Sequence, residues 1–253
     1  MLLITGAGGG LGKYCFAHLG GVGLTRDNAT SLLPRLAREG VDAIVHCAFS
    51  RVEDPSPLSM TAFLEDTMVL TERLSVIPHQ VFILVSCTDV YPPDGGMQTE
   101  DREIPTQAVP TVVGRTKLMC ETIVHGRSPC PVILRVSSLL GVGSRPSPLM
   151  TLRLEENPTL PLAPDAVLNC VRHQDVLACI RGALHDRTSG TFNVAASENI
   201  TLARAAELLE KTPRYGSRKL DIGTLHNARA LRWAPELEYG SEGLLRRFIQ
   251  DQG

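Results

Sequence analysis

Short apolar runs alternate along the chain with segments whose apolar residues recur at helical spacing, the rhythm of a parallel sheet covered by helices. Met1–Thr5 predicts a buried strand, and Leu11–Leu19 a helix behind it. Val22–Thr25 predicts a second strand. Ser31–Arg38 follows as an amphipathic helix, with Leu32, Leu33 and Leu36 on one face and Gly40 closing it. Val41–Ala48, Val81–Ser86, Val132–Val136 and Gly190–Val194 read as further strands. Met60–Val76, Thr111–His125, Gln174–Leu184, Thr201–Lys211 and Ser241–Gln250 read as helices, with Thr201 a hydroxyl N-cap.

After Gly143 the texture changes. Pro146, Pro148, Pro158, Pro161 and Pro164 make the stretch to Asp165 loop-rich, as a covering segment would be. Between Thr25 and Val41 there is room for one helix only, where half of a Rossmann sheet normally adds another strand–helix pair. The expected fold class is therefore α/β: a Rossmann-like doubly wound parallel sheet whose third strand is missing or vestigial. A single domain over residues 1–253 is expected, with a small C-terminal substrate lobe formed mainly by 143–175 and 195–253.

Composition narrows the function classes. With 43% hydrophobic and 21% charged residues, and a net charge of −2, the chain has no electrostatic footprint for nucleic acid or an anionic membrane. No apolar run reaches bilayer length, and the apolar start enters a glycine loop without a basic region or cleavage site, so a cytoplasmic protein is expected. The seven cysteines (Cys15, Cys47, Cys87, Cys120, Cys130, Cys170 and Cys179) show no metal-ligand spacing and read as reduced and mostly buried. No metal site is expected.

Candidate chemistry begins at Gly6-Ala7-Gly8-Gly9-Gly10-Leu11-Gly12, between the first strand and the first helix. Glycines there let a pyrophosphate approach the free amides and positive end of the helix, so Gly6, Gly8, Gly9, Gly10, Leu11 and Gly12 are assigned to a dinucleotide. The second strand ends Leu24-Thr25-Arg26-Asp27. Arg26 suits a 2′-phosphate and favours NADP, whereas Asp27 on the ribose hydroxyls would leave NAD as the cofactor.

At this point the order of motifs resembles the extended short-chain dehydrogenase/reductases, which include nucleotide-sugar epimerases, dehydratases and reductases. The likeness rests on Val41–Ala48, on Val85-Ser86-Cys87-Thr88-Asp89-Val90-Tyr91 and on Gly114-Arg115-Thr116-Lys117-Leu118-Met119-Cys120-Glu121. Leu134-Arg135, Gly141-Val142-Gly143, Asn169–Asp175, Gly190–Ala195 and Ala228–Pro235 continue it. The missing third strand most resembles the branch that reduces nucleotide-linked 4-keto sugars. By this resemblance Cys47, Ala48 and Ser86 line the dinucleotide, and Lys117 binds the nicotinamide ribose. It also implies a nucleotide-linked sugar as partner and leaves room for a homodimer.

The family's chemistry pairs a tyrosine with a lysine four residues later, so that the ammonium lowers the phenol pKa. Four residues before Lys117 stands Val113, which has no proton to give. The hydroxyl position of the preceding strand falls on Cys87, with Thr88 beside it, and Val136 stands where proline is common after the arginine. Cys87, Thr88 and Tyr91 are the candidate replacement acids, with Lys117 as their catalytic companion. Asp89, Glu100 and Asp101 read as solvated, and Asp175 and Asn193 as helix-capping or turn residues. Two functions stay open: an NADP-dependent oxidoreductase, epimerase or dehydratase with a relocated proton donor, and a catalytically silent dinucleotide-binding sensor, scaffold or subunit.

Overall fold

The structure, a computed structural model, describes residues 1–50 and 56–251. The last two positions of the expected lobe thus lie outside the described residues. Six strands form one parallel sheet: β1 (Leu2–Thr5), β2 (Val22–Leu24), β3 (Ala43–His46), β4 (Val81–Cys87), β5 (Pro131–Val136) and β6 (Gly190–Val194). Their spatial order is β6-β5-β4-β3-β1-β2. β2 is the edge, so among the described residues no third strand follows it. The chain instead passes through α2 (Ala29–Glu39) and returns as β3 beside β1, pairing Ile4 with Val45.

Both faces of the sheet are covered, which is why its strands read as continuous apolar runs. Side chains alternate across it with period two. Ile4, Val45, Ile83, Val85, Val132 and Leu134 point to one core, shared with Leu11 and Cys15 of α1 (Gly10–Leu19). Leu3, Ile44, Phe82, Leu84 and Ile133 point to the other, shared with Leu32 and Leu36 of α2.

The expected helix over Met60–Val76 is α3 (Pro57–Leu64) and α4 (Leu70–Ser75), joined through a wider π turn, Glu65–Val69. The next helix, α5 (Val112–Arg127), is capped by the Thr111 side chain, which accepts from the Gly114 amide.

The proline-rich stretch holds more structure than its composition suggests. Ser147 accepts from the Met150 amide and Pro148 occupies the first turn of α6 (Pro148–Leu154), while Thr159–Leu162 is a strand paired with Arg214–Arg218. Leu149, Leu152, Leu162, Leu202, Leu245 and Phe248 pack with their neighbours into a separate apolar cluster. The helix expected over Thr201–Lys211 stops at Leu208. Glu210 adopts a positive φ of 53° and Pro213 follows, which together end the helical path.

All seven cysteines are free. Among the described residues no helix is long and apolar enough to cross a membrane, and no cluster of three ligand-type side chains could hold a metal ion.

Candidate functional site

A cleft of about 800 Å³ runs along the carboxyl ends of β2, β1, β3, β4 and β5, where ligands of doubly wound sheets bind. Four strand spacings of about 4.8 Å make it roughly 19 Å long. One end is walled by Thr25 and Arg26, the middle by the glycine loop with Cys47 and Ala48, and the far end by Cys87, Val113, Lys117, Val136 and Ser137.

The loop residues fit an anionic ligand. Gly12 sits so close to β1 that a Cβ would lie 2.3 Å from the Gly6 carbonyl oxygen, and Gly6 itself has a positive φ of 71°. Gly9 caps α1 without a side-chain bond, and nothing lies within 4 Å of the place where its Cβ would be. Its own amide donates to the Gly6 carbonyl at 3.2 Å, but the amides of Gly10, Leu11 and Gly12 find no acceptor among the described residues. Three free amides at a positive helix end are an anion cradle. Below them, the Ala48 amide donates to Thr5 Oγ1 at 3.0 Å, and Thr5 meets His46 Nδ1 at 2.7 Å. Burial, then the nearby Lys117 charge, lowers the His46 pKa to about 3, so a neutral ring ties β1 to β3 under the loop.

At the Arg26 end, the guanidinium reaches Asp66 Oδ2 at 3.2 Å, and Ser50 donates to the same carboxylate at 2.9 Å. Arg26 and Asp66 are 83% and 50% exposed, so their pair is weak and open to exchange with a ligand.

At the far end, α5 carries both Val113 and Lys117 to the cleft wall. Lys117 Nζ donates to the Val85 carbonyl at 2.7 Å and stacks 4.3 Å from the Phe49 ring, which the Arg145 guanidinium also approaches, at 4.1 Å. Burial lowers the Lys117 pKa. Ser86 donates to Glu121 Oε1 at 2.5 Å, and Glu121 is fully engaged by Arg135, with Nη2 to Oε2 at 2.7 Å.

No protein-family model matches the sequence, and no curated protein matches it. Solved structures do match in shape. UDP-glucuronic acid 4-epimerase from Bacillus cereus, in complex with NAD, superposes with a TM-score of 0.76 at 18% identity, covering 98% of this chain and 96% of that chain. dTDP-4-dehydrorhamnose reductase from Clostridium acetobutylicum ATCC 824 gives 0.76 at 17% identity over 99% of each. dTDP-glucose 4,6-dehydratase from Bacillus anthracis str. Ames, in complex with NAD, gives 0.76 at 16% identity over 98% and 95%. The chain has the fold of these enzymes.

The candidate residues do not all converge. Gly6, Gly8, Gly9, Gly10, Leu11, Gly12, Arg26, Cys47, Ala48, Ser86, Cys87 and Lys117 all line the cleft. Thr88 and Tyr91 do not. Thr88 opens a short 3₁₀ turn, and the buried Tyr91 hydroxyl accepts from Arg135 Nη1 at 2.9 Å while its single proton lies between Asn193 Oδ1 (2.8 Å) and the Thr99 carbonyl (3.1 Å). That geometry commits the Tyr91 proton to protein acceptors. Indeed none of the four tyrosines (Tyr14, Tyr91, Tyr215 and Tyr239) is a cleft residue. Cys87 keeps its proton, because burial, and then Asp89, pushes the thiol pKa up. Asp89 is exposed, in keeping with its reading as solvated, and it also lines the cleft. Desolvation raises its carboxyl pKa although the side chain retains contact with water.

Asn193 is no turn residue either. Fully buried in β6, it donates to the Gln98 and His226 carbonyls, each at 3.0 Å. Asp175 caps α7 (His173–Asp186) as expected of it, accepting from the Arg172 amide at 2.8 Å. Sequence reasoning missed Phe49, Asp66, Ser137, Ser144 and Arg145, all of which line the cleft. Phe49 directly follows the Cys47-Ala48 strand end and Ser137 follows Val136, so position alone was the available signal.

Proposed function

We propose that this chain is a cytoplasmic NADP(H)-dependent enzyme of the oxidoreductase, epimerase or dehydratase type, acting on a nucleotide-linked sugar through a site without the tyrosine of the tyrosine–lysine pair. The observation that carries the reading is the line of strand ends with an anion cradle at its middle and Lys117 at one end. When bound, the nicotinamide supplies or accepts hydride. The chain's own residues hold the pyrophosphate on the amides of Gly10 to Gly12, exclude water with Phe49 and Arg145, and move a proton at the substrate oxygen. Cys87, whose thiol keeps its proton, and Asp89, whose carboxyl pKa desolvation raises, are the candidate donors that line the cleft there, and Lys117 sets the charge beside Cys87. The apolar cluster around Leu149, Leu202 and Phe248 belongs to the lobe that holds the sugar. The lobe comprises mainly 143–175 and 195–253.

For the cofactor, Arg26 is the residue that would accept a 2′-phosphate. Its contact with Asp66 favours a second outcome, in which Asp66 accepts the ribose hydroxyls of NAD. The missing phenol favours a silent dinucleotide-binding protein as the second functional reading.

Calorimetry of NADPH and NADH with the parent and with Gly9→Asp tests the first step. Gly9 is extended (φ −162°) with open space around it, so the variant folds while its carboxylate faces the phosphate position. Binding unchanged by Gly9→Asp refutes the cradle. Turnover of nucleotide-linked 4-keto sugars that survives Cys87→Ala with Asp89→Asn refutes both donors. No turnover alongside tight cofactor binding replaces the enzyme with the silent protein.

A further inference from the structure

The inner end of the cleft is largely apolar. Val113, Val136 and Leu139 form its walls. The Ser86 hydroxyl donates to Glu121, and the Lys117 ammonium donates once, to the Val85 carbonyl, with the Phe49 ring against it. Ser137 is buried without a partner: it is only 6% exposed, and its Oγ makes no hydrogen bond. Among the described residues one other buried side chain is orphaned in this way, Thr67, and it does not line the cleft. An unpartnered buried hydroxyl destabilises the free protein, so each such group calls for an explanation, and a ligand acceptor is the most direct one here.

Position says which acceptor. Ser137 follows β5, whereas Arg26 follows β2, four strands away across the sheet. A dinucleotide anchored by its pyrophosphate on Gly10 to Gly12, with adenosine toward Arg26, brings its other base to Ser137. The walls there are aliphatic, which suits the face of an aromatic ring better than a ring of sugar hydroxyls. Resting on the dinucleotide reading above, we propose that Ser137 is a cofactor-anchoring residue whose hydroxyl donates to the carboxamide oxygen of the nicotinamide. The Ser137 amide already donates to the Val194 carbonyl at 3.1 Å, which fixes the backbone. Rotation of one side-chain bond between staggered wells then turns the hydroxyl into the cleft.

The same donor could serve a substrate ketone, and the test separates the two carbonyls. The tighter-binding of NADH and NADPH is titrated into the parent, Ser137→Ala and Ser137→Thr, in parallel with its nicotinamide-free counterpart, ADP-ribose or 2′-phospho-ADP-ribose. Loss of one neutral hydrogen bond is expected to weaken the complete cofactor about 3- to 10-fold in Ser137→Ala and leave the counterpart unchanged. Ser137→Thr retains the hydroxyl and is expected to bind within about twofold of the parent. Equal affinities throughout, or equal loss for both ligands, overturn the assignment while leaving the cleft as a dinucleotide site. Unchanged cofactor affinity with reduced turnover overturns it in favour of the substrate ketone. If the parent binds neither ligand, the dinucleotide reading fails and this inference fails with it.

Discussion

Replacing Glu121 by leucine should unfold the far end of the cleft from beneath. Glu121 and Arg135 have side chains only 3% and 7% exposed, and their carboxylate and guanidinium share three hydrogen bonds of 2.7 to 3.2 Å. The leucine leaves the Arg135 charge buried with the Tyr91 hydroxyl as its remaining partner, and it strips Ser86 of its acceptor. Breaking one side of such a pair costs about 3–5 kcal/mol, since an uncompensated charge stays in a low dielectric. In a chain of this size that corresponds to a loss of roughly 6–20 °C in melting temperature. Converting Arg135 to methionine in the same chain removes the stranded charge, and the double variant is expected to recover most of the loss. Urea denaturation of the parent, both single variants and the double variant gives the cycle. A single variant within about 1 kcal/mol of the parent, or a double variant as unstable as the sum of the singles, refutes the claim that the pair is coupled and buried.

Three smaller changes probe other parts. Gly12→Ala puts a methyl 2.3 Å from a backbone oxygen, so the β1–α1 junction must open, costing about 1–3 kcal/mol with loss of NADPH binding; calorimetry and a melting curve check both. Arg26→Ala should lower NADPH affinity about tenfold to a hundredfold with NADH little changed, whereas Asp66→Asn should shift the ratio towards NADPH; an unchanged ratio in both removes this pair from cofactor choice. His173 is buried, meets Ser144 Oγ at 2.7 Å, and has its pKa lowered by burial to about 4. The unfolded chain therefore takes up this proton first: stability is complete above about pH 6.5 and falls by about 3 kcal/mol as pH drops to about 4. His173→Gln should flatten that part of the urea-midpoint profile, and an unaltered slope rejects the assignment.

Much of the fold was legible because buried strands and glycine turns leave local marks. A parallel sheet covered on both faces demands runs such as Val81–Val85, and the gap between Thr25 and Val41 was too short for another strand, so β2 is the edge. The glycine loop was legible for the same reason: its backbone requirement is written in residue type. Which side chains face the cleft was a different matter. Tyr91 lies within a motif-rich strand end, yet a guanidinium from β5 and an amide from β6 draw its hydroxyl away. Ser137 and Asp89 look like ordinary polar residues. Only the packing of β4, β5 and α5 leaves one without a partner and sets the other on the cleft wall. Local pattern determines where backbone can run, because each residue carries its own conformational preference. The partners of a buried polar group come from strands far apart in sequence, so the tertiary structure alone decided them.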